Sequence, residues 1–195
     1  MSSDLIVGPD GKARCAWAGP GDTAMSRYHD EVWGTPTHDP TALFEALTLG
    51  VFEVGMSWRV VFSKRDGLRH AFHGFDPARV AAMTERDVDR LVEDASIIRS
   101  RAKIQATVTN ARAMVSADPA LPELAKTYGT RRKRAPRSLS EVPTSTPRAE
   151  AFAKELKAQG YKFVGPTSVY AFMQNTGVVN DHIHGCFKAG DHSGP

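Results

Sequence analysis

The sequence predicts an all-α fold, and three features predict it. Capping residues recur directly before prolines, apolar residues repeat at helical spacing along most of the chain, and no convincing period-two alternation is bounded by turn residues. In chain order, Asp39-Pro40 opens the first strong helix, whose Leu43, Phe44, Leu47 and Val51 share a face. Val60, Val61, Leu68 and Phe72 continue the helical spacing, so the short β-branched piece WRVVF reads as helix. Asp76-Pro77 starts another helix, and Thr84 with Asp87 makes an acidic-capped start for DVDRLVEDA, with Val88, Leu91 and Val92 on one side. Ile104, Val108, Ala111 and Val115 mark the next helix, and Thr146-Pro147 opens a late one. Residues 128 to 146, YGTRRKRAPRSLSEVPTST, are expected to be the least ordered internal region, because basic residues, prolines and hydroxyls crowd together there.

Bulk properties narrow the class. The 195 residues are enough for one domain with a real core, and 41% hydrophobic with 24% charged residues is ordinary globular composition. A formal charge of +3 suits a nucleic-acid partner without requiring one. The N-terminal stretch has no uninterrupted apolar run of signal-peptide length, and no run reaches the ~18 apolar residues of a membrane helix, so a cytoplasmic protein without membrane contact is expected. In a reducing compartment the two cysteines, Cys15 and Cys186, are either bystanders or ligands of a shared metal.

Three constellations could carry chemistry. Cys15 and His29 lie near the start, while DHIHGC supplies His182 and Cys186 four residues apart. Two thiolates and two imidazoles would make a closed, structural zinc site. Spacing alone leaves open ordinary buried cysteines with surface histidines, and also His184 as the ligand. In LVEDASIIRSRAKIQATVTNAR, Arg99, Arg101 and Lys103 cluster about the start of a helix. Cations oppose the dipole there, so the pattern makes sense if an anion such as a DNA phosphate binds, unless it is simply an exposed basic face. The run Arg131 to Arg134 is read the same two ways. Trp17, Tyr28, Trp33 and Trp58 are either core or a set of flat rings beside a carboxylate, the latter suiting a flipped-out cationic base. Between them lies LTLGVFEVGMSW, where Gly50 and Gly55 weaken a helix that also carries a lone carboxylate, Glu53.

Several stretches together resemble one family, the bacterial 3-methyladenine DNA glycosylase I enzymes of the helix-hairpin-helix class. They are RCAW, YHDEVWG, GMSW, DASIIRSRAKIQATVTNAR, LSEVPTST and GYKFVGPTSVYAFMQNTGVVNDHIHGC, in the family's order over residues 14 to 186. The resemblance implies a monofunctional enzyme that acts on double-stranded DNA as a monomer, flips out an alkylated purine, most simply 3-methyladenine, and hydrolyses its N-glycosidic bond to leave an abasic site. It also implies a single glycosylase domain over 14 to 188, two lobes around a base-binding cleft, between a flexible segment 1 to 13 and a flexible tail 189 to 195. The family's zinc ligands fall on Cys15, His29, His182 and Cys186, and its base-pocket aromatics on Trp17, Tyr28 and Trp58. The residue that wedges into the gap in the DNA falls on Met56, and the DNA-gripping hairpin on Ser96, Arg99, Arg101 and Lys103.

Departures from the pattern concern the base. Gly50 stands where the family carries a base-reading glutamate, and Met25 where it has a pocket tyrosine. Ser96 and Ala102 replace common hairpin glycines. Glu53, three residues after Gly50 and on the same helical face, is the candidate to replace the missing carboxylate, against a plain ion pair with Arg59 or Lys64. The alternatives are a glycosylase retargeted to a bulkier purine adduct and a non-catalytic binder of damaged DNA.

Overall fold

The computed structural model describes residues 4–130 and 134–190. A two-stranded hairpin, β1 (Leu5–Val7) and β2 (Ala13–Cys15), precedes α1 (Ala24–Glu31) and α2 (Pro40–Glu53). Then come α3 (Trp58–Ser63), α4 (Arg65–Ala71), α5 (Pro77–Ala81), α6 (Glu85–Val92), α7 (Arg101–Ser116) and α8 (Leu121–Tyr128). The chain continues through α9 (Pro147–Ala158) and α10 (Pro166–Asn175). The all-α expectation is met, with one small exception at the start. Within segment 1 to 13, assigned from the sequence to a flexible lead-in, β1 pairs antiparallel with β2, Leu5 opposite Cys15 and Val7 opposite Ala13. Three residues per strand are too few to display alternation, so the pairing left no periodic trace.

The expected caps are present as hydrogen bonds. The Asp39 carboxylate accepts from the Ala42 amide at 2.9 Å, that of Asp76 from Ala78 at 2.9 Å, and the Thr146 hydroxyl from Ala149 at 3.1 Å. Pro40, Pro77 and Pro147 each occupy the first helical turn, where a missing N–H costs nothing. At α6, Thr84 and Asp87 form the reciprocal capping box.

The chain divides into two compact units. One comprises Met1–Thr37, Gly129–Thr144 and Met173–Pro195; the other comprises His38–Tyr128 and Ser145–Phe172. The second holds a core of Leu43, Phe44, Phe52, Val61, Leu68, Phe72, Ile104 and Phe152, all fully buried. Val60 and Val115 depart from their predicted faces and are exposed. In the first unit Cys15, Ala135, Ile183, Cys186 and Ala189 form a small core, with Leu5, Trp17 and Val142 against it. Part of the region expected to be least ordered is thus held in place: Ala135 is buried there, and the His184 amide donates to the Pro136 carbonyl at 2.7 Å. Residues 131 to 133 of the basic run lie outside the described residues, while Arg134 pairs with Glu141 at 2.9 Å.

Candidate functional site

In the first unit the sequence-distant ligand candidates converge. Strand β2 ends at Cys15, and α1 turns His29 inward. One ligand atom each from Cys15, His29 and Cys186 lies within 4.8 Å of the other two. A tetrahedral zinc site with metal–ligand bonds of about 2.0–2.3 Å has ligand–ligand edges of about 3.3–3.8 Å, so this cluster is close to metal-binding dimensions. His29 Nε2 lies 3.4 Å from Cys186 Sγ. Each sulfur also receives a backbone N–H, Cys15 from Ile183 at 3.4 Å and Cys186 from Lys188 at 3.5 Å, which favours thiolate. The two thiols share a proton unequally. Hydrogen bonding to Cys186, then burial, pushes the Cys15 thiol up, while the Cys15 hydrogen bond, then His29, pulls Cys186 down.

His182 belongs with this group although it is not part of the tight triplet. It is fully buried, its ring centroid is 4.8 Å from that of His29, and its Nδ1 lies 2.8 Å from Asn180 Oδ1. That contact puts the proton on Nδ1 and leaves Nε2 as a buried atom with no partner. Burial, followed by the neighbouring His29, lowers its pKa to about 3, so the ring is neutral and its lone pair available. An orphaned imidazole nitrogen on a ring packed against His29 is what a fourth ligand position requires. His184, by contrast, is exposed, so of the two histidines only His182 lies in this buried core.

Residues not singled out from the sequence hold the imidazoles in place. The Asp30 carboxylate accepts from His29 Nδ1 at 2.8 Å and is gripped by buried Arg14, whose Nη2 is 2.7 Å from Asp30 Oδ2 and 2.7 Å from Asp10 Oδ2. Gly34, at φ +71°, brings backbone against the His182 ring, where a Cβ would come within 2.6 Å of Cε1. The only sequence signals were adjacency, HD at 29–30 and NDH at 180–182. Trp17 packs edge-on to His29 with centroids 5.1 Å apart, and Trp33 edge-on to His182 at 4.4 Å. Tyr28 is buried and Met25 half-buried on α1.

The second unit carries the other candidates. Gly50 is buried inside α2, and a Cβ there would meet only the Ser168 carbonyl oxygen, at 3.9 Å. Neither conformation nor crowding demands a glycine. One turn later, Glu53 is half-buried, its carboxylate makes no hydrogen bond or ion pair among the described residues, and desolvation raises its pKa. The alternative, an ion pair with Arg59 or Lys64, is absent among the described residues; the Lys64 ammonium instead donates to the Ala95 carbonyl at 2.9 Å. After α2 the chain turns through Gly55 at φ +73°, closed by the Met56 amide donating to the Glu53 carbonyl at 2.8 Å. This is a type II turn, whose third position favours glycine. It leaves Met56 40% exposed, a large apolar side chain in water. Trp58 begins α3 and packs on Phe62 with centroids 5.8 Å apart.

Helices α6 and α7 are joined by a turn over residues 93 to 100, and its cations are not used alike. Arg99 is exposed with no partner among the described residues. Arg101 pairs with Asp89 and, at 3.8 Å, with Glu85. Lys103 turns inward, its ammonium donating to the carbonyls of Phe52 at 2.8 Å and Val54 at 2.5 Å. The three cations of the basic cluster are therefore not equivalent: Arg101 and Lys103 have partners within the protein, which also offsets their unfavourable position at a helix start. Ser96, expected to face DNA, is exposed at the turn with its amide donating to Asp94 at 2.8 Å.

The chain matches a crystal structure of 3-methyladenine DNA glycosylase I with a TM-score of 0.85 and 44% identity, covering 91% of this chain and 100% of that one. It matches the Staphylococcus aureus 3-methyladenine DNA glycosylase I, solved to explain 3-methyladenine recognition, at 0.82 and 31%, covering 90% and 96%. The fold is thus that of helical DNA glycosylases. DNA-3-methyladenine glycosylase 1 of Escherichia coli (strain K12) is 45% identical over 178 residues, 89% of this chain and 95% of the relative. The sequence model of the methyladenine glycosylases matches residues 17–189, and the chain belongs to that family.

Proposed function

We propose that the protein is a DNA-repair glycosylase that excises 3-methyladenine from double-stranded DNA, releasing the free base and leaving an abasic site. The observation that carries this reading is the family match over residues 17–189, joined to 45% identity with a DNA-3-methyladenine glycosylase. N3-methylation leaves the base cationic, so breaking the glycosidic bond neutralises it and strong protonation by the enzyme is not needed. Orientation and electrostatics can then supply much of the rate. Glu53 is assigned to the base edge, supported by its half-buried, unpartnered carboxylate one turn from Gly50. A carboxylate there would favour the cationic base and the positive charge that develops on the sugar.

The roles of Trp17, Tyr28 and Trp58 in holding the base rest on the resemblance. Met56 is assigned to the gap left by the flipped base, supported by its exposure at a constrained turn. The α6–turn–α7 segment is assigned as the hairpin that approaches the DNA backbone, with Arg99 as its free cation. Cys15, His29, His182 and Cys186 would hold one zinc ion. Bound there, zinc supplies a structural cross-link between the start and end of the chain, since four protein ligands leave no open position. The protein is proposed to act as a monomer in the cytoplasm.

Release of free 3-methyladenine from methylated duplex DNA tests the reading directly. No release, with retained binding to abasic duplex, would point to a non-catalytic binder instead. A second reading is favoured by one observation: a Cβ at Gly50 would have only the Ser168 carbonyl oxygen within 4 Å, so the missing side chain leaves space that a larger purine adduct could use. Faster release of bulky adducts than of 3-methyladenine would select it.

A further inference from the structure

The end of α2 poses an accounting problem that Lys103 solves. The last carbonyls of a helix have no intrahelical partners and carry partial negative charge. Here the Glu53 carbonyl is taken by the Met56 amide, and the carbonyls of Phe52 and Val54 are among those that remain. The Lys103 ammonium, from the first turn of α7, takes both. One cation thus bridges the last turn of α2, the Gly55 turn and the helix following the 93–100 turn. Val54 and Met56, the apolar side chains of this turn, are 41% and 40% exposed, so little side-chain packing holds it. Burial lowers the pKa of Lys103, in keeping with an ammonium turned away from water.

We propose that Lys103 is a positioning residue: it does not grip a phosphate but staples the Val54–Ser57 turn to α7, setting Glu53 and Met56 for the reaction. This rests on the function proposed above, with the α6–turn–α7 segment against the DNA, so that the segment meeting the backbone and the turn entering the base gap move as one body. A misplacement of about 1 Å at a reacting centre can cost about 100-fold in rate.

Three measurements test it. In Lys103→Met, single-turnover excision should fall at least about 10-fold, with Lys103→Arg recovering much of the loss. The salt dependence of binding to abasic duplex should keep its slope, whereas loss of a phosphate contact would lower it by about 1. Amide exchange at Gly55 to Trp58 should rise in Lys103→Met without a comparable rise in α8. A lowered slope with unchanged exchange would overturn the proposal. If Lys103→Met fails to fold, the wild type still decides: slow acylation of the Lys103 amine that DNA does not change supports the staple, and fast acylation that DNA blocks refutes it. Exchange, salt slope and acylation need no catalysis, so an absence of 3-methyladenine release would sink the proposed activity while leaving Lys103 to be judged separately.

Discussion

Gly50→Ala and Gly67→Ala make the same chemical change in two helices of one unit, and the structure assigns them opposite signs. At Gly50 the added methyl meets only the Ser168 carbonyl oxygen, at an ordinary 3.9 Å. Helix propensity then favours alanine by about 0.8–1.0 kcal/mol, and a newly buried methyl adds up to about 0.8 kcal/mol. The sum is about 1–2 kcal/mol of stabilisation, or roughly 2–8 °C in Tm for a chain of this size. At Gly67 the methyl would come within 2.4 Å of the Ser96 carbonyl oxygen and 2.9 Å of its carbon, both backbone atoms that cannot rotate away. Shifting them should outweigh the helix gain and leave a net loss of about 1–3 kcal/mol. Urea unfolding of the two variants, followed by circular dichroism, reads both signs. Destabilisation by Gly50→Ala, or equal shifts in both variants, would refute the packing argument. If Gly50 borders the base, the same alanine should also slow 3-methyladenine release; stability gained with release unchanged would remove Gly50 from the site.

Cys186→Ser should lower bound zinc, measured by atomic emission after gel filtration, and a full complement would count against the four-ligand assignment. Asp30→Asn should leave the ligands intact but weaken zinc retention against a chelator by about 10–100-fold, because a carboxylate behind an imidazole orients it and raises its basicity. Glu53→Gln should slow single-turnover excision by about 10–100-fold, the worth of one charged hydrogen bond; equal rates would exclude a base-contacting role. The same variant carries a pH signature. Burial raises the folded-state pKa of Glu53, so its favourable contribution is complete below the unfolded value of about 4.3 and is lost as pH rises through the folded value. Glu53→Gln should therefore be more stable than wild type at pH 7, with the difference narrowing toward pH 4. A difference that grew on acidification would reverse the assigned cause.

What the sequence determined by itself is what short-range chemistry determines. A capping side chain and a proline act within one turn, so the starts at Asp39, Asp76, Thr84 and Thr146 were legible, as were the apolar residues of α2 and, Val115 apart, the apolar face of α7. The candidate ligands were named through the resemblance, since motifs in register carry more information than the spacing of two cysteines, and the structure brings Cys15, His29 and Cys186 of that set together. Tertiary structure decided the questions that depend on partners distant in sequence. His182 and His184 are chemically alike, and only burial beside His29 and the Asn180 hydrogen bond separate them. Arg99, Arg101 and Lys103 read as one basic cluster, yet each has a different fate because an acidic side chain or a helix end happens to lie within reach. The glycines at 50 and 67 are the same letter in a helical pattern, and the backbone of Ser96, 29 residues beyond Gly67, makes only the second one obligatory. Close approach, desolvation and the capture of a free donor are properties of the packed chain, and no local pattern encodes them.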